Sequence, residues 1–185
     1  MSIMATKEIV QLGNPKIRKV SRKLTLKEIN SSKIKNLIKN LNDSMIAGNL
    51  IGISAPQIGE NLRMFITEIR PTKTRKPKDL DGIRIFINPK ITRYSKDKCN
   101  GYEGCGSVAN SNLFGIVKRS RSVIIKATDE NGKNFELKAS GLLARVIQHE
   151  YDHLDGILFV DRVTNTRSYM SGSEYRKMKN KKSSS

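Results

Sequence analysis

The sequence of 185 residues predicts an α+β fold, in which antiparallel β-sheets surround a central buried helix that carries the segment 149–153. Two observations favour this class. Alternating, β-branched stretches within 121–139 flank the turn signal Asp-Glu-Asn-Gly and predict a β-hairpin. Apolar residues recur at helical spacing in 34–45 and again in 142–147, which predicts two helices.

Length and composition bound the class of protein. The length fits one domain with a core of its own. No run of eighteen apolar residues and no apolar N-terminal signal segment is visible, so we expect neither a membrane partner nor secretion. Two cysteines without a disulfide spacing favour a reducing compartment. These observations predict a cytoplasmic location, although an organellar origin stays open.

The net charge of +18 predicts attraction to a polyanion such as RNA. The alternative is a solvated surface in a lysine-rich proteome, because the lysines are spread along most of the chain. Charge bears on association and not on fold.

The N-terminal part of the chain predicts one edge strand and one helix. Ile9–Leu12 alternate weakly and indicate an edge strand, and Gly13-Asn14-Pro15 follow as a turn. The polar residues at 30–32 are N-cap candidates for a helix that runs through Met45. Gly48-Asn49 is typical of a helix end.

The next segment, Leu50–Gly59, is small and apolar, which indicates that another backbone approaches it closely. Stretches at 62–69 and 83–91 predict strands, and Asn88-Pro89 places a turn or an edge position inside the second. Between them, the basic segment 70–84 is predicted to be an exposed loop.

The C-terminal half continues with the hairpin strands 121–128 and 134–139. Ser140-Gly141 opens the second predicted helix, and Asp155-Gly156 ends it. A short strand is predicted at 157–160. Beyond it the chain is polar and basic, and its last three serines are expected to be disordered.

Both histidines of the chain lie in the segment Gln148-His149-Glu150-Tyr151-Asp152-His153. Residues four apart share one face of a helix, so the two imidazoles can bind one metal ion while Glu150 projects beside them. This is the HExxH pattern of two nitrogen ligands and a carboxylate base. The alternative is a solvated helix that carries two histidines without a metal.

A catalytic metal takes three protein ligands and keeps one open position. Asp152 lies within the helix but points away from the histidine face, and Glu174 follows at a spacing that some zinc peptidases use. Cys105 lies far upstream between two glycines, where its other interpretation is a buried, inert thiol. The residues alone leave these three candidates open.

Three segments together resemble the peptide deformylase family. Leu50–Gln57 resembles the motif GxGxAAxQ, Glu103–Ser107 resembles EGCLS, and His149–Gly156 resembles the HExxH motif of that family. The order and the separation of the three segments agree as well. The resemblance implies a catalytic domain over residues 1–165, followed by a basic, partly disordered C-terminal tail over 166–185.

The resemblance implies a metal-dependent hydrolase that removes the N-formyl group from the formyl-methionine of new polypeptides. It assigns Cys105, His149 and His153 as metal ligands and Glu150 as the general base. The implied metal is Fe²⁺ in the cell, with Zn²⁺, Ni²⁺ or Co²⁺ in purified protein. A thiolate ligand suits such metals better than Ca²⁺ or Mg²⁺.

The resemblance also implies how the substrate is held. The Gln57 amide and the Gly106 backbone N–H would hold the formyl oxygen as it gains negative charge. The peptide would lie extended beside Gly52 and Ile53, like an added strand. The partners implied are an N-formyl-methionyl nascent peptide and, through the basic surface, the ribosome.

Further features of the resemblance concern residues around the cysteine. Glu103 and Arg119 resemble a pair that orients the cysteine turn. Gly106 stands where the family usually has leucine, and Leu50 replaces the first glycine of the first motif. A positive φ at Leu50 would cost about 1–2 kcal/mol.

Two other functions are alternatives to an active deformylase. One is a catalytically weak homologue that binds ribosomes, and the other is a zinc peptidase with Glu174 as the third ligand.

Overall fold

A computed structural model describes residues 6–72 and 75–183 of the chain. The helices are α1 (Leu26–Ile29), α2 (Ser32–Ala47), α3 (Gly141–Leu154), α4 (Phe159–Arg162) and α5 (Gly172–Ser183). The strands are β1 (Gly52–Ser54), β2 (Met64–Ile69), β3 (Asp81–Tyr94), β4 (Lys98–Gly104), β5 (Leu113–Ser120), β6 (Ser122–Thr128), β7 (Asn134–Ser140) and β8 (Met170–Ser171). Short 3-10 helices lie at Pro15–Arg18, Ala55–Ile58, Ala109–Ser111 and Thr166–Ser168.

The strands form two antiparallel sheets, one with the order β1-β2-β3-β6-β7 and one with the order β4-β5-β8. The predicted hairpin is present as β6 and β7, and Asp129 closes its turn by accepting a bond from the Gly132 N–H. Helix and antiparallel sheet are therefore combined as the sequence predicts. Within the described residues, no helix is both long and apolar enough to cross a membrane.

Strand β3 lies in the middle of the larger sheet, and Asn88-Pro89 interrupts it with a bulge instead of a turn. Asn88 has a φ of 51°, and Asn88 and Pro89 are not paired with β6 at this point. Its side-chain amide exchanges two 2.8 Å hydrogen bonds with the backbone of Leu24. The bulge therefore anchors the N-terminal segment to the sheet.

Helix α2 covers one face of the larger sheet. Ser31 caps its N-terminus by accepting a bond from the Ile34 N–H, and Gly48 caps its C-terminus. Its buried stripe, Ile34, Leu37, Leu41 and Met45, packs against β1 and β2 in one hydrophobic cluster. This prediction from the spacing of apolar residues is confirmed.

Helix α3 packs on the same strands and carries both histidines. Its residues Ala144 and Ile147 pack with Phe65 and Phe86 of the sheet in a second cluster. Gln148 ties the helix to β5, because its amide donates to the Ser120 carbonyl (2.9 Å) and accepts from the Ser120 N–H (3.1 Å). The helix is therefore fixed between the two sheets.

Two predicted strands are wrong. Residues 9–12 are extended but belong to no strand: Val10 N–H donates to Gln57 and Leu12 N–H donates to Ser107. The stretch 157–160 leads into α4, since Asp161 accepts a bond from the Leu158 N–H and starts a helical turn there. Residues 9–12 therefore bond to loops distant in sequence instead of to a strand, whereas a local bond between 158 and 161 starts a helix.

The C-terminal region contains the 3-10 helix at 166–168, β8 and α5. Strand β8 pairs with Leu113 and Phe114 of β5, which joins this region to the smaller sheet. Of the three serines predicted to be disordered, Ser183 is the last residue of α5, and residues 184 and 185 lie outside the described residues. The division of the chain at 165/166 stays a prediction.

Candidate metal centre

Three side chains from two elements meet at the end of strand β4. Cys105, which follows β4, meets His149 and His153 on α3, and one ligand atom of each lies within 4.8 Å of the others. The Cys105 Sγ lies 3.2 Å from His153 Nε2. The helical spacing of the histidines produces this convergence, since both rings lie on one face of α3.

The neighbouring loops also direct polar groups at the sulfur. The Ser107 N–H points at Cys105 Sγ (3.4 Å), and the Gln57 side chain donates to it from Nε2 (3.5 Å). Both donors are directed at the sulfur of a buried side chain. The sequence alternative of a buried cysteine without chemistry does not explain such surroundings.

The orientation of the Gln57 amide is fixed by Ser54. Gln57 Oε1 accepts hydrogen bonds from the Ser54 N–H (2.8 Å) and hydroxyl (3.0 Å). The oxygen is therefore occupied, and the NH₂ group must point toward Cys105 and the cleft. A donor held in this way needs no reorganisation when it meets a negative oxygen.

Behind the histidines lies a buried network of charges centred on Glu103. This carboxylate accepts two 3.0 Å bonds from Arg119, one 2.8 Å bond from Arg145 and one 2.9 Å contact from His149 Nδ1. Burial raises the pKa of Glu103, but His149 and Arg119 outweigh burial and hold the pKa well below its usual range. Glu103 therefore stays ionised and orients the His149 ring, so that its other nitrogen faces Cys105.

Two other third-ligand candidates lie elsewhere. Asp152 faces away from the histidines and pairs with Arg119 (2.5 Å) and Arg162 (2.7 Å). Glu174 is exposed on α5 and pairs with Lys177 (2.6 Å). Of the three candidates, the structure brings Cys105 to the histidines.

Glu150 is buried beside the cluster, next to β1. A Cβ atom on Gly52 would lie 2.7 Å from Glu150 Oε1 and 2.6 Å from Val146 Cγ1, so the glycine makes room for this carboxylate. Glu150 Oε2 has no hydrogen-bond partner among the described residues. Burial raises the pKa of Glu150 to about 7.

The two histidines differ in their environment. Burial lowers the pKa of His149, but hydrogen bonds with Cys105 and Glu103 outweigh burial and raise the pKa well above its ordinary value. Burial and the neighbouring charge of His149 both lower the pKa of His153. Metal ligation requires both imidazoles to be neutral.

The donor set fits a transition metal. Bond lengths of about 2.3 Å to sulfur and 2.0–2.1 Å to nitrogen place the donors of a tetrahedral site roughly 3.3–3.6 Å apart. The 3.2 Å from Cys105 Sγ to His153 Nε2 is close to that separation. One thiolate and two imidazoles leave a fourth position open.

Leu50 and Gly106 lie against each other at the edge of the site. A Cβ atom on Gly106 would lie 3.2 Å from Leu50 Cδ1 and 3.2 Å from Ile9 Cδ1. The left-handed backbone in this turn is at Asn49, with a φ of 56°, and Leu50 does not have a positive φ. The strain expected for a leucine at position 50 is therefore absent.

A cleft of about 450 Å³ opens above the cluster. Its inner part is lined by the site residues described above. Its outer part is lined by Tyr102, Arg75, Lys76 and three residues of α5: Tyr175, Met178 and Lys179. The cleft therefore runs from the buried cluster to the surface between α5 and the segment 75–77.

Sequence reasoning missed the part of Arg145 and Asp152 in this network. Arg145 lies four residues before His149, so helical spacing places it on the same face, and it bonds Glu103 and the Cys99 carbonyl (2.8 Å each). The i, i+4 relation was the available signal. The partners of Asp152 follow from tertiary contacts alone.

Fold and site define a mixed helix-and-sheet protein with a buried Cys/His/His cluster. The family model "Polypeptide deformylase" matches residues 6–169. The chain belongs to the polypeptide deformylase family, whose members are metal-dependent enzymes.

Individual relatives extend over most of the chain. The chain is similar to peptide deformylase 2 of Nostoc sp. (34% identical, covering 92% of this chain and 93% of the relative). It is 37% identical to the peptide deformylase of Treponema pallidum over 86% of this chain and 90% of the relative. A Met-Ala-Ser-bound class I type b peptide deformylase from Acinetobacter baumannii matches with a TM-score of 0.82 at 31% identity, covering 88% of this chain and 100% of that one.

Proposed function

We propose that this protein is a metal-dependent peptide deformylase, which hydrolyses the N-formyl group of formyl-methionyl polypeptides to formate and a free amine. The observation that carries the proposal is the convergence of Cys105, His149 and His153 with the buried carboxylate of Glu150 beside them. A module that only binds a partner has no use for a general base in this position. Family membership over residues 6–169 supports the same activity.

The HExxH residues of the buried helix α3 would hold the metal together with the cysteine. His149, His153 and Cys105 would be its ligands, and Glu103 would keep His149 in the required tautomer through Nδ1. When bound, the ion would act as a Lewis acid on the reacting water and the formyl group. Fe²⁺ is the metal proposed in the cell, with Zn²⁺, Ni²⁺ or Co²⁺ as replacements, because a thiolate and two imidazoles suit these ions.

Glu150 would move the proton. Its Oε2 is buried and has no hydrogen-bond partner among the described residues, and Glu150 lines the cleft together with His149. The carboxylate would take a proton from the attacking water and pass it to the leaving amine nitrogen as the C–N bond breaks. One group can serve both steps because the proton gained in the first is lost in the second.

Two donors would stabilise the negative oxygen of the tetrahedral intermediate. The Gln57 NH₂ group is turned toward the cleft because Ser54 holds its oxygen. The Gly106 N–H would supply the second bond, in a peptide unit whose carbonyl, that of Cys105, accepts a bond from the Val108 N–H (3.1 Å). Loss of one such donor typically lowers kcat by about 10²–10³.

The substrate backbone would pair with strand β1. β1 lies at the edge of the five-stranded sheet and is joined to β2 on one side. A peptide lying along Gly52 and Ile53 on the other side would add a strand there. This placement brings its N-terminal formyl group toward the Glu150 carboxylate, which packs directly over Gly52.

A further part of the proposal concerns location. A deformylase of nascent chains would work in the cytoplasm, next to ribosomes, and the net charge of +18 favours contact with ribosomal RNA. Binding to purified ribosomes should weaken as salt rises, with log K falling linearly with log salt. Binding that is insensitive to salt would refute the electrostatic part.

The deciding experiment measures formate release from formyl-Met-Ala-Ser. Protein purified without oxygen and loaded with Fe²⁺ is compared with Glu150→Gln, which keeps the shape of the side chain and removes the base. Release by the wild type and a loss of about 10²–10⁴ in the variant are expected. Wild-type protein that holds one metal per chain and releases no formate would refute the proposal and favour the binding module.

The ligand set is tested separately by metal content. Cys105→Ser should lower the bound metal after dialysis, whereas Glu174→Gln should leave it unchanged because Glu174 lies outside the cluster and pairs with Lys177. Retention of metal by Cys105→Ser together with loss in Glu174→Gln would restore the zinc peptidase alternative.

A further inference from the structure

The outer half of the cleft has walls that the family match does not include. The match ends at residue 169, and α5 begins at Gly172. Nevertheless Tyr175, Met178 and Lys179 of α5 line the cleft. The wall is therefore an addition to the part of the chain that defines the family.

Helix α5 is attached to the smaller sheet at a fixed place. The Tyr175 ring stacks on Phe114 of β5, with centroids 4.1 Å apart and an interplanar angle of 8°, and meets Tyr102 of β4 at 5.6 Å. Phe114 in turn packs over Gly104, where a Cβ atom would lie 2.6 Å from the ring. These contacts place the helix directly above the strand end that carries Cys105.

Opposite α5, the segment 75–77 forms the other wall. Arg75 of this segment and Tyr175 of α5 both line the outer part of the cleft. Arg75 and Lys76 on this side face Lys179 on the other. The outer cleft is therefore a channel with aromatic and methionine side chains inside and three cations along its rim.

The charges of the cleft are divided by depth. Glu103 and Glu150 are the carboxylates that line it within the described residues, and both belong to the buried site. Within the described residues, the charged side chains that line the rim are basic. A peptide that leaves the site through this channel brings its residues beyond the first two into the field of Arg75, Lys76 and Lys179.

We propose that the channel between α5 and the segment 75–77 is a binding site for the downstream part of the substrate peptide, and that it selects acidic side chains there. The proposal rests on the proposed function, since it concerns the same substrate. Exposed ion pairs contribute little singly, so three cations acting together should change kcat/KM by about threefold to tenfold at low salt.

The test compares three substrates: formyl-Met-Ala, formyl-Met-Ala-Ser-Glu-Glu and formyl-Met-Ala-Ser-Lys-Lys. The first is too short to reach the rim. The wild type should prefer the acidic pentapeptide to the basic one, mainly through KM, and the preference should shrink in high salt. Cleavage of the two pentapeptides at equal efficiency in low salt would overturn the inference.

Charge reversal locates the selecting residues. Arg75→Glu/Lys76→Glu/Lys179→Glu should reverse the preference and leave formyl-Met-Ala hydrolysis unchanged, which also reports that the variant is folded. The control Lys27→Glu/Lys133→Glu/Lys138→Glu reverses three exposed charges outside the cleft and should keep the wild-type preference. An equal change in both triple variants would assign the effect to net charge and overturn the site.

A second variant covers the possibility that Arg75, which is half-buried, supports the fold. Lys76→Glu/Lys179→Glu changes two exposed residues and should still reduce the preference. Failure of the wild type on formyl-Met-Ala would refute the proposed function itself. Normal activity on that dipeptide with no response of the pentapeptides to Lys76→Glu/Lys179→Glu would refute the channel alone.

Discussion

The floor and the rim of the cleft are built in opposite ways. At the floor, Cys105, Glu103 and His153 are buried and held by neighbours on both sheets and on α3. At the rim, Lys76 and Lys179 are exposed and lie on a loop and on a peripheral helix. Chemistry requires atoms at fixed separations, whereas selection by charge requires only a field of the right sign.

This contrast predicts different responses to substitution. At the floor a single added or removed atom should cost stability or rate, because buried polar groups lose their partners and packed groups collide. At the rim the same change should alter substrate choice with little effect on the fold.

Arg119→Met should destabilise the protein by about 3 kcal/mol, because Glu103 and Asp152 then lose a buried partner. The loss stays at the lower end of the usual range since Glu103 keeps Arg145 and Asp152 keeps Arg162. Urea denaturation measures it. Arg121→Met is the control, because the Arg121–Asp97 pair is exposed and should contribute about 0–1 kcal/mol. Similar losses in both variants would contradict the contrast between buried and exposed charges.

Gly52→Ala should cost about 1–3 kcal/mol and reduce deformylation strongly. The new methyl group would overlap Val146 and Glu150, and it would push the carboxylate out of place. Thermal unfolding and formate release measure the two effects. Gly82→Ala, in β3 with no heavy atom within 4 Å of the new Cβ, should change stability by about 0.5 kcal/mol or less. Full activity in Gly52→Ala would show that Glu150 does not depend on this close approach.

Leu50 and Gly106 lie where the floor and the rim of the cleft meet. Because they are in contact, substitutions at the two positions should have non-additive effects on the free energy of unfolding. Gly106→Leu alone should cost about 1–3 kcal/mol through overpacking against Leu50. Combining it with Leu50→Ala should recover part of that loss, with a coupling energy of roughly 1 kcal/mol in urea denaturation. Leu142→Ala serves as the control, since Leu142 lines the cleft but is not among the nearest neighbours of Gly106, and additive losses are expected. Additive behaviour in the Leu50 pair would disprove the compensation.

Glu28 is an exposed carboxylate far from the cleft, and it serves as a reference for the contribution of a surface charge to stability. Hydrogen bonds from Arg22 and Thr25 lower the pKa of Glu28 from 4.5 to about 2. A lowered pKa means that the ionised form stabilises the fold, so its contribution is present above about pH 4.5 and is lost as pH falls toward 2. The difference between wild type and Glu28→Gln in urea midpoint should therefore narrow from pH 6 to pH 3.

Removal of Arg22 supplies the control for the Glu28 experiment. In an Arg22→Gln background, the pH dependence of the Glu28 difference should be weaker, because the strongest partner is missing. An unchanged pH dependence would assign the effect to the Thr25 cap alone.

The residues with the strongest chemical requirements were the easiest to predict from the sequence. His149, Glu150 and His153 share a helix, so their spacing alone brings them together. The hairpin β6–β7 was predicted because its strands are adjacent and its turn is typical. Roles for the site residues stay proposals; the structure shows only that Cys105 lies next to both histidines.

The elements that could not be predicted from the sequence, β4 and α5, depend on contacts between residues that are far apart in the chain. Strand β4 contains two glycines and a lysine, which is a poor strand signal, and it exists because β5 pairs with it at seven positions. Helix α5 was expected to be part of a tail, yet Tyr175 stacks on Phe114, which lies far away in sequence. No local pattern reports that contact.

The attachment of α5 has a consequence for motion. The pairing of β8 with β5 at two residue positions and the stack of Tyr175 on Phe114 hold this helix, whereas α3 is enclosed by both sheets. Amide hydrogens in α5 should therefore exchange with solvent through local detachment, while those of α3 exchange through global unfolding. A long or partly folded nascent chain could then leave by displacing one helix, without disturbing the residues that perform the hydrolysis.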